Sequence, residues 1–392
     1  QVKGGFDVRT KVMSWLLALC LMVGLLPATT LAAAAPGTSS GTVIYVSESG
    51  DDSAAGDENA PLKTIGAAFT KAADGDTICL LSDIQLAGKL VLTGDKSVTL
   101  ADKAGETAKK ITCQKASSSD DYMIEVGVEY GTATATNLTL ENVTIDAEGQ
   151  DIRCIRPESQ LILENGATVC NGRAVHSDGS TGTNDWGGGI VVDSNAKLIM
   201  NDGSAVTGCS AEQGGGIYLS GEMELNGGTI SGNTAVGDYY RPGITQSAHG
   251  GAILIRANRA DYDESYAVPA KLTMTGGNIQ NNKAASDLSA FGGAVAILGT
   301  PKNTVDLTNE FIMTGGTISG NTAGYGGAIS VYAADRYWNG NASVKISGNA
   351  EITQNTGRNG GGAIALWTSK ADNYTSTVEM SGGTISENET FS

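Results

Sequence analysis

The sequence predicts an all-β protein, a right-handed parallel β-helix with three short strands per coil and an N-terminal capping helix. Three observations predict it. First, 54 of the 392 residues are Gly against 7 Pro, with no three-residue Gly period, a composition that favours many turns over long helices and excludes collagen. Second, an eleven-residue unit recurs, reading Met-Glu-Leu-Asn-Gly-Gly-Thr-Ile-Ser-Gly-Asn from Met223 to Asn233, with close copies from Phe311 to Asn321 and from Val378 to Asn388. Third, Gly-Gly-(Gly/Ala)-(Ile/Val) occurs six times in order, starting at Gly187, Gly214, Gly250, Gly292, Gly326 and Gly361. Successive copies lie between 27 and 42 residues apart, and the variation falls after the Asn or after the third apolar stretch. A constant rung with variable corners is the pattern of a β-helix.

Taken in order, residues 1–35 read as a secretory signal peptide: Lys11, an apolar run from Val12 to Leu26, Pro27, then small residues to Ala34. The run is too short to span a membrane, so the protein is expected to be exported, secreted or held at the cell surface. Residues 36–136 are expected to hold the N-terminal cap and the first coils. Within them, Thr42 to Val46 is a strand, Ser49 to Asn59 an acidic loop, and Leu62 to Ala73 a helix with Ile65, Phe69 and Ala72 on one face, proposed to cover the open apolar end. Thr77 to Leu81, Lys89 to Leu92, Val98 to Ala101, Lys110 to Cys113 and Tyr122 to Val126 then start the coils.

Residues 137–392 carry the repeats, with weaker copies from Leu198 to Cys209, Leu272 to Asn282 and Val344 to Asn355. After each Gly-Gly pair, the columns Ile190, Ile217, Ile253, Val295, Ile329, Ile364 and Val192, Leu219, Ile255, Ile297, Val331, Leu366 alternate so as to point inward. The column Asn233, Asn282, Asn321, Asn355, Asn388 suits positive φ and amide stacking, with Cys209 at the equivalent place in an earlier copy. The five cysteines after the leader lack the close spacing of a metal site or disulfide framework and read as buried apolar residues. The last repeat stops without a cap and residue 1 is Gln, so the chain is expected to be a piece of a longer one, open to end-to-end self-association at its final rung.

Tyr45-Val-Ser-Glu-Ser-Gly-Asp-Asp, followed by Pro61-Leu-Lys-Thr-Ile-Gly-Ala-Ala and Gly75-Asp-Thr-Ile-Cys-Leu, resembles the opening of secreted β-helix proteins of the pectin-lyase-like superfamily. The Gly-Gly-Ala-Ile and Ile-x-x-Asn units resemble repeats of chlamydial polymorphic outer-membrane proteins and related bacterial adhesins. The resemblances imply the fold firmly and the function loosely, because this fold carries lyases, hydrolases and non-catalytic surface proteins alike.

Catalytic signals are sparse. Lyases of that superfamily use clustered Asp for Ca²⁺ with an Arg or Lys base, and related hydrolases use close carboxylates, but the strand-borne carboxylates Asp146, Glu164, Asp193, Glu222 and Glu224 form no column. Gly-His-Gly is absent, and only His176 and His249 are available. No cofactor is called for. If the protein is an enzyme, Asp238, Arg241, His249 and Arg256 are the candidates, with Tyr239 and Tyr240 beside them. Asp51, Asp52, Asp57 and Glu58 are weak Ca²⁺ candidates without EF-hand spacing.

A binding face has more support. The outward column Asp193, Ser220, Arg256, Leu298, Tyr332, Trp367 has rungs about 4.8 Å apart in such a stack, and nearby loops add Tyr262, Tyr266, Tyr337, Trp338 and Tyr374. Aromatics gathered on one edge suit stacking on sugar rings or a protein contact, and equally suit packing of loops onto the rungs. The formal charge of −17 argues against a nucleic-acid partner. The expectation is an adhesin-type protein binding glycans or host and matrix proteins, attached to a membrane only through an anchor outside this chain. A lyase or hydrolase of acidic polysaccharide is the alternative.

Overall fold

In the computed structural model, three long sheets run side by side through the molecule, and in all three every strand pairs parallel with its neighbours. The structure describes residues 41–103, 105–114, 121–129, 132–175, 186–237, 247–257, 268–286, 289–299, 308–332, 334–335, 338–367 and 375–391; the proposed leader lies outside them. The first sheet has 11 strands, from Val43–Val46 to Ser376–Met380, the second 10, from Ile84–Leu86 to Thr384–Ser386, and the third 9, from Leu90–Leu92 to Ile364–Trp367. The chain visits the three in turn, which makes a parallel β-helix. No helix among the described residues is long and apolar enough to cross a membrane.

A fourth, narrow ladder joins the expected three. Two-residue strands such as Arg173–Ala174, Ser210–Ala211, Thr234–Ala235 and Lys283–Ala284 pair in register at the corner between the second and third sheets. Their small residues Ala235, Ala248, Ala284, Ala290 and Ala323 form an apolar cluster of their own. Ile84–Leu86 is a further strand, too short to stand out by alternation.

Each sheet contributes inward columns. Ile190, Ile217, Ile253, Val295, Ile329 and Ile364 are paired Cα to Cα up the third sheet, and the second sheet supplies one core residue per strand, Ile230, Ile279, Ile318 and Ile352 among them. Of the twelve residues expected inside, ten belong to the core cluster and Ile364 packs partly against it. Leu366 is 50% exposed, because it sits on the last strand of its sheet, with no rung stacked above it.

The N-terminal helix is shorter than its apolar pattern, spanning Ile65–Lys71. Leu62 is held by backbone bonds to Tyr45 and Ser47 in a short bridge with Val46. Thr64 therefore becomes the N-cap, its Oγ1 accepting from the Ala67 amide at 3.1 Å. At the other end Lys96 Nζ donates to the Phe69 and Ala72 carbonyls. Ile65, Ala68 and Phe69 are buried, and the helix packs against Val43–Val46, Thr77–Leu80 and Leu90–Leu92.

The asparagine column is where the local expectation needs correcting. Positive φ belongs to the preceding residue: Gly232 at 65°, Asn281 at 55°, Gly320 at 66°, Gln354 at 56° and Glu387 at 53°. That turn aims the next side chain inward, and Asn233, Asn282, Asn321 and Asn355 are at most 1% exposed. From Asn282 onward each Oδ1 accepts twice from the coil below: Asn321 Oδ1 takes the Asn282 amide at 2.9 Å and its Nδ2 at 3.0 Å, whereas Asn233 Oδ1 takes the Cys209 amide. Each Nδ2 also donates to a backbone carbonyl, as Asn321 does to Ile279 at 2.9 Å. The ladder runs unbroken from Asn233 to Asn388.

Asn321→Ala would strand these buried donors and acceptors together. We expect a loss of roughly 3 kcal/mol or more, read as a fall in denaturation midpoint, whereas an exposed control such as Thr384→Ala should stay within about 0.5 kcal/mol. Equal midpoints would show that the ladder is dispensable.

Candidate functional site

The corner between the narrow ladder and the third sheet is turned by a Gly at positive φ in every coil, for example Gly250 at 66° and Gly292 at 64°. A side chain there would meet the backbone of the next strand, since a Cβ on Gly250 would lie 2.1 Å from the Ile253 carbonyl oxygen. The residue before this Gly forms its own column: Trp186 pairs with Gln213, and His249, Phe291, Tyr325 and Gly360 pair in succession, the Gly214 amide donating to the His249 carbonyl between the two runs. Phe291 and Tyr325 were absent from the sequence-based site, yet the signal was present, an aromatic or polar residue immediately before Gly-Gly in coil after coil.

The outward column expected at the far edge of the third sheet is in register, with Leu298, Tyr332 and Trp367 paired in sequence, but it divides along its length. Ser220, Arg256 and Leu298 are buried, while Tyr332 is partly accessible and Trp367 is 37% exposed. The residues between the two columns decide this. In the earlier coils Val191, Tyr218 and Leu254 fill the sheet face, with Trp186 stacked on Tyr218 at 4.7 Å and the Arg256 guanidinium 5.0 Å from the Trp186 ring. Further along, Ala296 and Ser330 leave room, and the flanking rings meet across them. Phe291 lies 5.8 Å from Tyr332 and 5.7 Å from Trp367, and Tyr325 lies 5.0 Å from Trp367.

His249 stacks on Phe291 at 5.1 Å and belongs to this cluster rather than to an acid–base pair. The residue as a whole keeps some accessible surface, but its Nδ1 is enclosed and makes no hydrogen bond among the described residues. Burial and the Arg256 charge push its pKa down to about 3, so the ring is neutral at ordinary pH.

A groove of about 740 Å³ runs along the narrow ladder. Its wall carries Arg173, Ser210, Lys283, Thr322, Arg358 and Asn359, and none of its described lining residues is a carboxylate or a histidine. Arg173 pairs with Asp151 at 2.8 Å, whereas Lys283 and Arg358 are exposed and have no salt bridge among the described residues. The groove adjoins the aromatic cluster: Gly324 and Asn359 line it, and a Cβ on Gly360 would lie 3.4 Å from the Tyr325 ring.

The acidic groups elsewhere are taken up by the fold. Asp51 accepts from Ser53 and Asp57 from the Asn59 and Ala60 amides. Asp52 accepts from the Lys63 and Thr64 amides at 2.9 and 2.8 Å, just before the helix, and Glu58 pairs with Lys103 at 2.6 Å. No cluster that could hold a metal ion occurs among the described residues. A network missed in the sequence joins Arg156 to Asp193, Glu158 and Glu125, and Glu125 to Lys89. It spans neighbouring strands, so only the register brings it together. Burial raises the pKa of both Asp193 and Glu158 against the attraction of Arg156.

Asp238, Arg241, Tyr262, Tyr266, Tyr337 and Tyr374, together with Tyr239, Tyr240 and His176, lie outside the described residues. Trp338 is placed by its backbone alone, in a short antiparallel pair with Ala334–Asp335. Arg256 and His249 are brought onto neighbouring parts of the same buried face, with Arg256 acting on His249 through its charge.

No protein-family model matches the chain, and comparison with curated proteins and with solved structures gives no match.

The lowered pKa of His249 makes a signed prediction. The unfolded state takes up a proton near pH 6.5 and the folded state only near 3, so the stability that the neutral ring contributes is complete above about 6.5 and is lost as pH falls toward the folded value. His249→Phe should flatten the fall in melting temperature across that window relative to the wild type. Parallel curves for the two proteins would refute the assignment.

Proposed function

We propose that this chain is a non-catalytic, secreted or cell-surface β-helix protein of adhesin type that binds glycans, as its resemblance to pectin-lyase-like openings and adhesin repeats implies. The observation that carries the proposal is the groove on the narrow ladder together with the rings at its end. Hydroxyls and an amide along the wall suit sugar hydroxyls, and partly exposed Tyr332 and Trp367 suit stacking on pyranose faces. Lys283 and Arg358, without a carboxylate partner among the described residues of a chain of net charge −17, favour an acidic glycan. The lining supports binding over hydrolysis, because a two-carboxylate mechanism needs acids that its described residues do not supply.

Retention on a panel of acidic and neutral polysaccharides, with and without Ca²⁺, together with assays for new reducing ends and unsaturated products, tests this. Lys283→Glu with Arg358→Glu should weaken retention on acidic polymers by about tenfold or more, with unchanged melting temperature. Trp367→Ala should weaken retention on whichever glycans bind. Turnover would replace this reading with a lyase or hydrolase, and no retention on any polymer would redirect it to a protein ligand.

A further inference from the structure

The charges along the groove change from coil to coil, and the coil spacing turns that pattern into a length. Thr234, Lys283, Thr322, Thr356 and Glu389 pair Cα to Cα in succession, so they form one column across five coils. Neighbouring coils lie about 4.8 Å apart. The next residue along each of the first three strands, Ala235, Ala284 or Ala323, is buried, so the column itself faces outward. Lys283 and Glu389 on it are exposed.

The strand Thr356–Gly360 adds a second cation beside this column. Its register against Thr322–Tyr325 shifts after Ala323, so that Arg358 and Asn359 together oppose the single residue Gly324. A bulge of this kind re-aims the side chains it carries, and here Arg358, Asn359 and Gly324 all line the groove. Asn359 Nδ2 lies 3.4 Å from where a Cβ on Gly324 would stand, and the Ala290 carbonyl oxygen lies 3.0 Å from the same point. The glycine therefore leaves space that a larger residue would fill.

Successive coils thus present Lys283, then uncharged Thr322, then Arg358, then Glu389. The two cations are two coils apart, about 10 Å along the axis of the stack, with a hydroxyl coil between them. A sugar ring in an extended pyranose chain is close to one coil spacing in length.

We propose that the groove takes a linear glycan lying along the stack axis in which acidic and uncharged sugars alternate, one sugar to a coil. This rests on the groove being the glycan-binding site. Acid groups on alternate sugars meet Lys283 and Arg358 in charge-assisted hydrogen bonds. The uncharged sugar between them meets the Thr322 hydroxyl, and the next uncharged sugar offers its hydroxyls to the Glu389 carboxylate. A chain with an acid on every sugar sets one acid on the Thr322 coil, where no cation of the column meets it, and another against Glu389, where like charges repel. Selectivity comes from these mismatched coils as much as from the matched ones.

The test is calorimetric titration of the full chain with size-defined oligosaccharides of two kinds. Hyaluronan fragments alternate glucuronate with N-acetylglucosamine, and oligogalacturonates carry an acid on every sugar. A hyaluronan tetrasaccharide holds two acids one sugar apart and should bind about tenfold or more tighter than the disaccharide. The hyaluronan hexasaccharide should bind tighter than hexagalacturonate. Lys283→Gln and Arg358→Gln should each bring the tetrasaccharide down to the level of the disaccharide, with unchanged melting temperature. Thr322→Lys puts a cation on the middle coil and Glu389→Gln removes the repulsion, so each should narrow the gap between the two hexasaccharides. Equal binding of the two series, tighter binding of oligogalacturonate, or tetrasaccharide binding unmoved by Lys283→Gln and Arg358→Gln would overturn the alternating ligand while leaving glycan binding intact. Failure of every oligosaccharide and every polymer to bind would remove the glycan reading and this inference with it.

Discussion

Parallel in-register pairing holds every coil of this protein to one cross-section. When Ile217 must lie directly over Ile190, and Ile253 over Ile217, a coil cannot add a residue within a sheet without turning the inward side chains outward. Extra sequence can leave only at the corners. The spacing between successive Gly-Gly signatures can therefore vary by many residues while the paired strands remain two to six residues long. The resulting core is a set of columns, each satisfied by the same residue type again and again, and it persists as a single cluster from Ile44 to Ile352.

The same constraint creates the asparagine ladder. Each turn from the second sheet to the narrow ladder brings backbone amides and carbonyls inside, where an unpaired group costs about 1–3 kcal/mol. Asparagine has both an acceptor and a donor on a short side chain, so one residue per coil can serve the coil below and the carbonyls beside it. Position matters as much as type. The residue before the asparagine must adopt the left-handed conformation for the amide to point inward, and the chain uses Gly, Asn, Gln or Glu there. Cys209 and Cys154 end the ladder with sulfur, a weaker donor that still reaches the equivalent carbonyl.

Function-bearing features arise where the columns differ from coil to coil. The bulk of Tyr218 and Leu254 closes the third-sheet face in one half, while Ala296 and Ser330 open it in the other, and the second half is where aromatic rings from opposite edges converge. The charge pattern is equally uneven. Lys103, Lys109, Lys110, Lys197 and Lys345 are each matched to a carboxylate, whereas Lys283 and Arg358 line the groove with no carboxylate partner among the described residues. A negatively charged protein whose described groove lining carries such cations and no carboxylate has local chemistry there opposite to its net charge.

The repeating coil, its inward columns and the corner asparagines were legible in the residues alone, because stacking places one residue type at one spatial position and so prints the architecture as a period. Local turn chemistry was legible only in part: the sequence marks the asparagine corner, but the left-handed residue proved to be its predecessor. Which distant residues meet is set by the folded stack. The Arg156 network, the contact of Phe291 with Trp367 and the seating of the Cys154 and Cys209 thiols against Gly172 and Gly189 depend on register between coils and on small neighbours such as these glycines and Ala296. These are relations across the stack, whereas sequence periodicity reports only positions within it.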